Sequence, residues 1–434
     1  MVAGGAPRIS QFAKYLPESG WAPTVLTASF TAGRALDEHT LAELAERPEI
    51  EIVRAWSPWE KAAPRGLPQP RGGWRKLARG VVRSAVDWVC LPDRQRLWAR
   101  GALRAGRAAL LRRKHDVVFA TYGPATNLLV GAQLARQAGL PLVVDFRDLW
   151  TDYPGARWPT AWHRRRAEAL ERRAISQASA VVAVSPAMAE HFARKYERRS
   201  EDVVSITNGF DPADLERAVD LRESAPQRPF RLCYTGSVYG AHHLEALAGA
   251  VYDLACAGSV MPETFRLQFV GSLAASEPAR WKIEEFVDVL PPVPHHEVFA
   301  RLGEADALVM VEGEGYWAHY SYAVKVFDYA LTGKPILGLV EPGGNSARLL
   351  ANLGNCEIAL PSARAEIAAA LGRLLRTKGL PPRRVEIDQP PLAAFDRRTL
   401  TRQLAAVLLQ AAEPNRRPVQ TSDAPSPEGA SACR

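Results

Sequence analysis

The chain has 434 residues, 47% hydrophobic and 24% charged, the make-up of a water-exposed globular protein of two domains; a disordered or fibrous chain is excluded. No stretch approaches the roughly 18 apolar residues of a membrane span, and the first twenty residues lack the apolar centre of a signal peptide. The five cysteines (Cys90, Cys233, Cys256, Cys356, Cys433) are odd in number and scattered, which argues against a disulfide framework or a zinc site and for a reducing cytoplasm.

In chain order, Gly4-Gly5-Ala6-Pro7-Arg8-Ile9 reads as a glycine-rich turn opening a helix with Ile9, Phe12, Ala13 and Leu16 on its apolar face. Such a turn normally follows a buried strand. Only Met1-Val2-Ala3 precede it, so the expectation is that this strand is either missing or unusually short. Thr24–Thr27 and Glu51–Arg54 read as strands around a helix over 36–46.

The net charge of +8 is concentrated in the next segment, where Lys61 to Lys114 carries fifteen Lys or Arg against Asp87 and Asp93. A basic patch of this size implies a polyanionic neighbour. Interleaved Trp74, Trp88 and Trp98 suit an interfacial helix on anionic lipid; the alternative is a solvated helical insertion. No nucleic-acid-binding signature is present.

Strands over 116–121, 140–145, 180–184 and 203–206 then alternate with helices over 125–138 and 162–177 and one capped by Ser185-Pro186. A polar stretch from Glu216 to Pro229 reads as a linker. The alternation resumes with strands over 230–235, 265–270 and 307–311, and helices over 244–256, 346–351, 363–376 and 397–412. Strand–helix alternation on both sides of a linker predicts an α/β protein of two doubly wound, Rossmann-like domains facing a central cleft. The expected boundaries are 1–216, with a basic insertion at about 61–114, then 217–390, a helix within 391–412 returning to the first domain, and a disordered tail over 413–434.

Ligands of such sheets bind beyond the carboxyl ends of the strands. Gly4, Gly5, Tyr122, Asp145, Gly236, Gly271, Glu312 and the segment Lys325-Val326-Phe327-Asp328-Tyr329-Ala330-Leu331-Thr332-Gly333-Lys334-Pro335 fall there. That segment reads as a short helix, a glycine stop and a buried strand. Lys325 and Asp328, three apart, share one helix face. The pair suits a phosphorylated sugar or nucleotide; the alternative is an ordinary exposed ion pair.

In Gly4–Arg8, Phe12–Leu16 leading to Gly20-Trp21, Asp145-Phe146-Arg147-Asp148-Leu149-Trp150, Asn208-Gly209-Phe210-Asp211, Tyr234-Thr235-Gly236-Ser237 and Lys325–Pro335, the chain resembles the retaining GT-B glycosyltransferases of family 4. The resemblance covers nearly everything outside the basic segment and the tail. It implies transfer of a sugar from a nucleotide-diphosphate sugar to a glycan or lipid-linked acceptor, as in cell-surface polysaccharide biosynthesis. It implies no cofactor beyond that co-substrate and no metal. Asp328 would bind the nucleotide ribose, and Gly236, Ser237 and Gly271 would let backbone approach the diphosphate. His242 and Glu312 complete the expected donor site, Lys325 would neutralise the leaving diphosphate, and Gly4 and Gly5 would close from the first domain. Asp145, Arg147 and Asp148 are the expected acceptor-side residues; an internal Arg–Asp pair holding the loop is the alternative.

The sequence departs from the family where two glutamates are usual eight positions apart, since Tyr320 and Asp328 stand there. Val238-Tyr239-Gly240-Ala241-His242-His243 replaces the usual phosphate-gripping cations. A GT-B sugar-nucleotide epimerase and a non-catalytic sugar-nucleotide-binding protein remain as alternatives. That no full G-x-G-x-x-G follows a strand argues against a dehydrogenase. The expected location is cytoplasmic and peripheral at the inner membrane face, through 61–114.

Overall fold

Two bodies of parallel sheet and helix form in a computed structural model that describes residues 6–29, 38–57, 88, 90–219, 228–236, 244–274 and 276–413. The first contains α1 (Ala6–Tyr15), β1 (Thr24–Ala28), α2 (Glu38–Ala45), β2 (Glu51–Ala55), α3 (Ala99–Arg112), β3 (Val118–Thr121), α4 (Thr126–Ala138), β4 (Leu142–Phe146), α5 (Ala161–Gln177), β5 (Ala180–Ala183), α6 (Pro186–Lys195) and β6 (Val203–Ser205). The second contains α7 (Ala213–Val219), β7 (Phe230–Thr235), α8 (Glu245–Cys256), β8 (Phe265–Val270), β9 (Val287–Leu290), α9 (His295–Gly303), β10 (Ala307–Val311), α10 (Lys325–Leu331), β11 (Ile336–Leu339), α11 (Asn345–Leu353), β12 (Cys356–Ala359) and α12 (Arg364–Leu375). A final helix, α13 (Arg397–Ala412), follows.

The second sheet has six parallel strands in the order β12-β11-β10-β7-β8-β9. Counted within the domain this is 3-2-1-4-5-6, the dinucleotide-fold order, with its switch point between β7 and β10. β10 and β11 are buried along nearly their whole length, as helices on both faces require. The edge strands β9 and β12 are only half-buried. Their weak apolar pattern is why the sequence reading passed over them.

The first domain's strands lie in two sheets, β3-β4-β5-β6 and a separate parallel pair β1-β2, where one sheet was expected. The strand expected ahead of α1 falls on residues 1–5, outside the described residues.

The basic segment and the start of the expected linker are partly drawn into the domain cores. The rear of the basic segment is part of the first domain: α3 buries Ala102 and Ala109. Trp98, expected at a lipid surface, packs instead with Ala55, Ala102, Val130 and Leu134. A helix crossing from β2 to β3 must cover that part of the sheet, and its arginines take the outer face. Residues 58–87 lie outside the described residues. The chain also enters the second domain before residue 216, because α7 puts Ala218 into that domain's core with Phe299, Leu302 and Val326.

The two bodies are fastened where the chain crosses between them. The Phe210 N–H donates to the Phe395 carbonyl at 3.0 Å and the Arg397 N–H to the Phe210 carbonyl at 3.0 Å. Gly209 allows this approach, since a Cβ there would lie 1.9 Å from the Phe395 oxygen. α13 then returns to the first domain, burying Leu400, Leu404 and Leu408 against Phe12, Leu16, Val143, Val182 and Ile206. Among the described residues no helix is long and apolar enough to cross a membrane.

Candidate functional site

β7 and β8 end in Gly236 and Gly271, whose φ angles are +121° and +147°. A Cβ on Gly271 would lie 2.1 Å from the Gly236 carbonyl oxygen. Torsion and space both demand glycine at Gly271, so the two turns lie backbone against backbone at the carboxyl edge of the sheet. Ser237 and His242, expected beside them, and Gly4 and Gly5, expected opposite, lie outside the described residues.

Lys325 begins α10, and its ammonium lies 3.7 Å from the centre of the Tyr234 ring, two residues before Gly236. Solvent reaches part of the side chain, yet protein crowds the ammonium. This desolvation pushes its pKa down to about 7, with Asp328 opposing. Val326, Phe327, Tyr329, Ala330 and Leu331 are buried, so α10 is a core helix. Tyr329 ties it to the sheet, its Oη accepting from the Thr235 N–H at 2.9 Å. Gly333, at φ +66°, stops the helix as expected.

Lys325 and Asp328 do not form the ordinary ion pair that was the alternative reading. The Asp328 carboxylate turns to His295 on α9, with Oδ2 3.3 Å from Nε2. Asp214 of α7 joins them, and the ligand atoms of Asp214, His295 and Asp328 lie within 4.8 Å of one another. Burial pushes the Asp214 carboxyl up to about 6; His295 lowers it, Asp328 and Asp211 raise it, and Arg217 lowers it. Arg217 contacts Asp214 at 2.5 Å. Three separate helices supply the acidic and imidazole groups, and no spacing in the sequence connects them.

Glu312 ends β10. Burial pushes its carboxyl up to about 7, against hydrogen bonds from the Ser346 hydroxyl and the Ala323 N–H. Its Oε2 is enclosed and has no partner among the described residues. A carboxyl in this state is still partly protonated at neutrality and in that form can donate a hydrogen bond.

On the first domain the three expected acceptor-side residues separate. Asp145 is fully buried; Arg8 Nη2 reaches its Oδ1 at 2.8 Å and Thr121 Oγ1 donates to its Oδ2 at 2.8 Å. It holds α1 to β3 and β4 and touches no open surface, which corrects its expected contact with an acceptor. Arg147 donates to the carbonyls of Tyr122 at 3.0 Å and Gly123 at 2.9 Å, bracing the turn after β3. The internal arginine–aspartate pair therefore exists, but its arginine is Arg8. Asp148 is the member that stays exposed, while surrounding protein raises its carboxyl and Arg147 lowers it.

The other motif residues meet at the crossing between domains. Lys14 Nζ lies 2.7 Å from Asp211 Oδ2, and Tyr15 Oη donates to Asp211 Oδ1 at 2.5 Å. Arg397 is buried beside them, its Nη1 without a partner among the described residues. Tyr320, where the family carries an acid, is buried, and its carbonyl accepts from Ser185 Oγ at 2.7 Å. Sequence reading missed Tyr234, His295 and Arg8, whose roles arise from contacts far apart along the chain.

Residues 3–209 match the family described as Glycosyl transferase 4-like domain. A glycosyltransferase from Rickettsia africae superposes with a TM-score of 0.57 at 13% identity, covering 95% of this chain and 96% of that one. Anabaena HepE, solved with UDP and glucose, gives 0.56 at 17% identity over 94% and 96%. The α,α-trehalose 6-phosphate synthase of Burkholderia multivorans gives 0.58 at 14% identity over 91% and 100%. No curated protein sequence matches. Residues 3–209 are thus similar to glycosyl transferase 4-like domains, and the chain as a whole carries the GT-B fold of two Rossmann-like domains.

Proposed function

We propose that the protein is a retaining glycosyltransferase that moves a sugar from a nucleotide-diphosphate sugar to a glycan or lipid-linked acceptor in cell-surface polysaccharide synthesis. The observation that carries this reading is the desolvated Lys325 ammonium on Tyr234, beside the paired Gly236 and Gly271 turns. A cation in contact with a ring face and not with a carboxylate is placed to meet an anion, and a diphosphate against bare backbone is the anion this fold presents there. UDP is the first choice of nucleotide, because HepE was solved with UDP and glucose.

In this reading Lys325 stabilises charge as it develops on the departing diphosphate, the largest expected contribution to catalysis. Asp328 receives the ribose hydroxyls by exchanging its contact with His295. Glu312, partly protonated at neutrality, donates in that form to a donor oxygen, and Asp148 faces the acceptor. The reaction runs without a further cofactor. A cytoplasmic protein, held at the inner membrane face by basic surface of the first domain, would meet a lipid-linked acceptor there.

A thermal-shift series with UDP-, GDP- and ADP-linked hexoses tests the reading. A true donor at about a hundred times its Kd stabilises by roughly 2.7 kcal/mol. Lys325→Ala should remove most of that shift; an undiminished shift would take Lys325 out of the donor site.

A further inference from the structure

We infer that the outer face of α5 is a docking surface for an anionic membrane, separate from the donor site and from the basic stretch that precedes β3. One face of α5 is in the core, where His163, Ala167, Glu171, Ala174 and Ile175 are buried. The opposite face carries Trp162, Arg165, Arg166, Ala169, Arg172 and Arg173, all exposed. Their spacing of three and four makes one stripe, about 16 Å long at 1.5 Å per residue.

The charge on this stripe is uncompensated. Arg164, at its flank, pairs with Glu168 at 2.9 Å, and Arg172 lies over the Tyr196 ring at 5.3 Å. The guanidinium groups of Arg165, Arg166 and Arg173 make no hydrogen bond or ion pair to any described residue. Arginines in a helical row whose one flanking solvent-facing acid, Glu168, is taken by Arg164 call for an anionic surface extending along the helix.

Two exposed indoles at the amino end of the stripe favour lipid over a soluble polyanion. Trp162 is 61% and Trp88 54% exposed. Both pack edge-on against the buried His163 ring, each with centroids 5.0 Å apart, and His163 Nε2 lies 3.1 Å from the Trp88 carbonyl oxygen. Indoles held rigidly in water beside a row of arginines match the headgroup level of a bilayer, where the ring is half-dehydrated and the guanidiniums meet phosphate. The chain from Asp148 runs directly into α5, so docking by this face would bring the first domain's side of the cleft to the membrane.

Flotation of the whole protein with phosphatidylcholine vesicles containing about one-third phosphatidylglycerol tests the inference, without any nucleotide sugar present. The wild type should float with these vesicles, not with pure phosphatidylcholine, and should be released by high salt. Arg165→Gln/Arg166→Gln/Arg173→Gln should weaken vesicle binding about fivefold per arginine, about a hundredfold in all. Trp162→Ala should weaken it independently, with the salt dependence retained. Both variants keep the basic run upstream and the thermal shift with donor, so a failure of the donor reading would show separately. Wild-type flotation in both variants would overturn the inference. So would loss of single-stranded DNA or heparin binding in the triple variant with flotation unchanged, which would make the face a site for soluble polyanions.

Discussion

The Lys325 ammonium lies 3.7 Å from the centre of the Tyr234 ring, while Asp328, one turn along the same helix, faces His295. The two charges diverge because α10 is wedged into the core on most of its circumference, so each polar group must find its partner on a different neighbouring element. The cation rests on a ring face, a partner that holds it without neutralising it.

Replacing Lys325 by Ala should weaken nucleotide-sugar binding by about 1.5–3 kcal/mol, the range of a charge-assisted contact. Tyr234→Leu, which removes the ring but leaves the cation, should cost about 0.5–2 kcal/mol of donor affinity. Isothermal titration of both variants checks this order.

Two groups near the donor site should give opposite pH dependences of stability. Glu312 holds its proton to about 7 because burial disfavours the charge, whereas an unfolded glutamate ionises near pH 4.3. Between those values the folded state binds the extra proton, so stability falls as pH rises through the window, and Glu312→Gln should flatten the fall. Lys325 releases its proton near 7 and an unfolded lysine near 10.4. There the unfolded state binds the extra proton, so stability rises with pH above about 7, and Lys325→Met should flatten that rise. Chemical denaturation across pH measures both limbs. Donor affinity should fall as pH climbs through about 7 in the wild type and fall less steeply in Lys325→Ala, where Glu312 alone still titrates.

Asp145 and Asp148 should separate structure from activity. Asp145→Ala strands the buried Arg8 guanidinium and should cost about 3–5 kcal/mol of folding stability. Asp148→Asn should change stability by less than about 0.5 kcal/mol and lower kcat/KM at least about tenfold, equivalent to about 1.4 kcal/mol. Thermal unfolding alongside transfer assays tests the contrast.

Gly271→Ala should abolish the donor thermal shift as well as destabilise, since its Cβ meets the Gly236 carbonyl and its φ is +147°. Gly258→Ala is the matched control: φ is +68° there but nothing lies within 4 Å, so it should cost about 1–2 kcal/mol and leave the donor shift intact.

Strand and helix positions were legible wherever apolar periodicity is strong. β7, β8 and β10 occupy the residues read from the sequence, because central parallel strands must be apolar on both faces. The edge strands β9 and β12 need not be, and they were missed. α3 was hidden for a related reason: its arginines dominate the composition while alanines and a glycine form its buried side.

By itself the sequence determined the alternation of elements, the glycines that end strands, and the segments where charge and glycine gather at carboxyl edges. These are local properties, set by backbone torsion, side-chain period and turn chemistry. Only the tertiary structure decided which charges meet. Asp145 belongs to Arg8, 137 residues away, Asp211 to Lys14 and Tyr15, and Asp328 to His295. Electrostatic partnership depends on distance and desolvation in space, and residues three apart on a buried helix are drawn to different neighbours once the sheets pack around them.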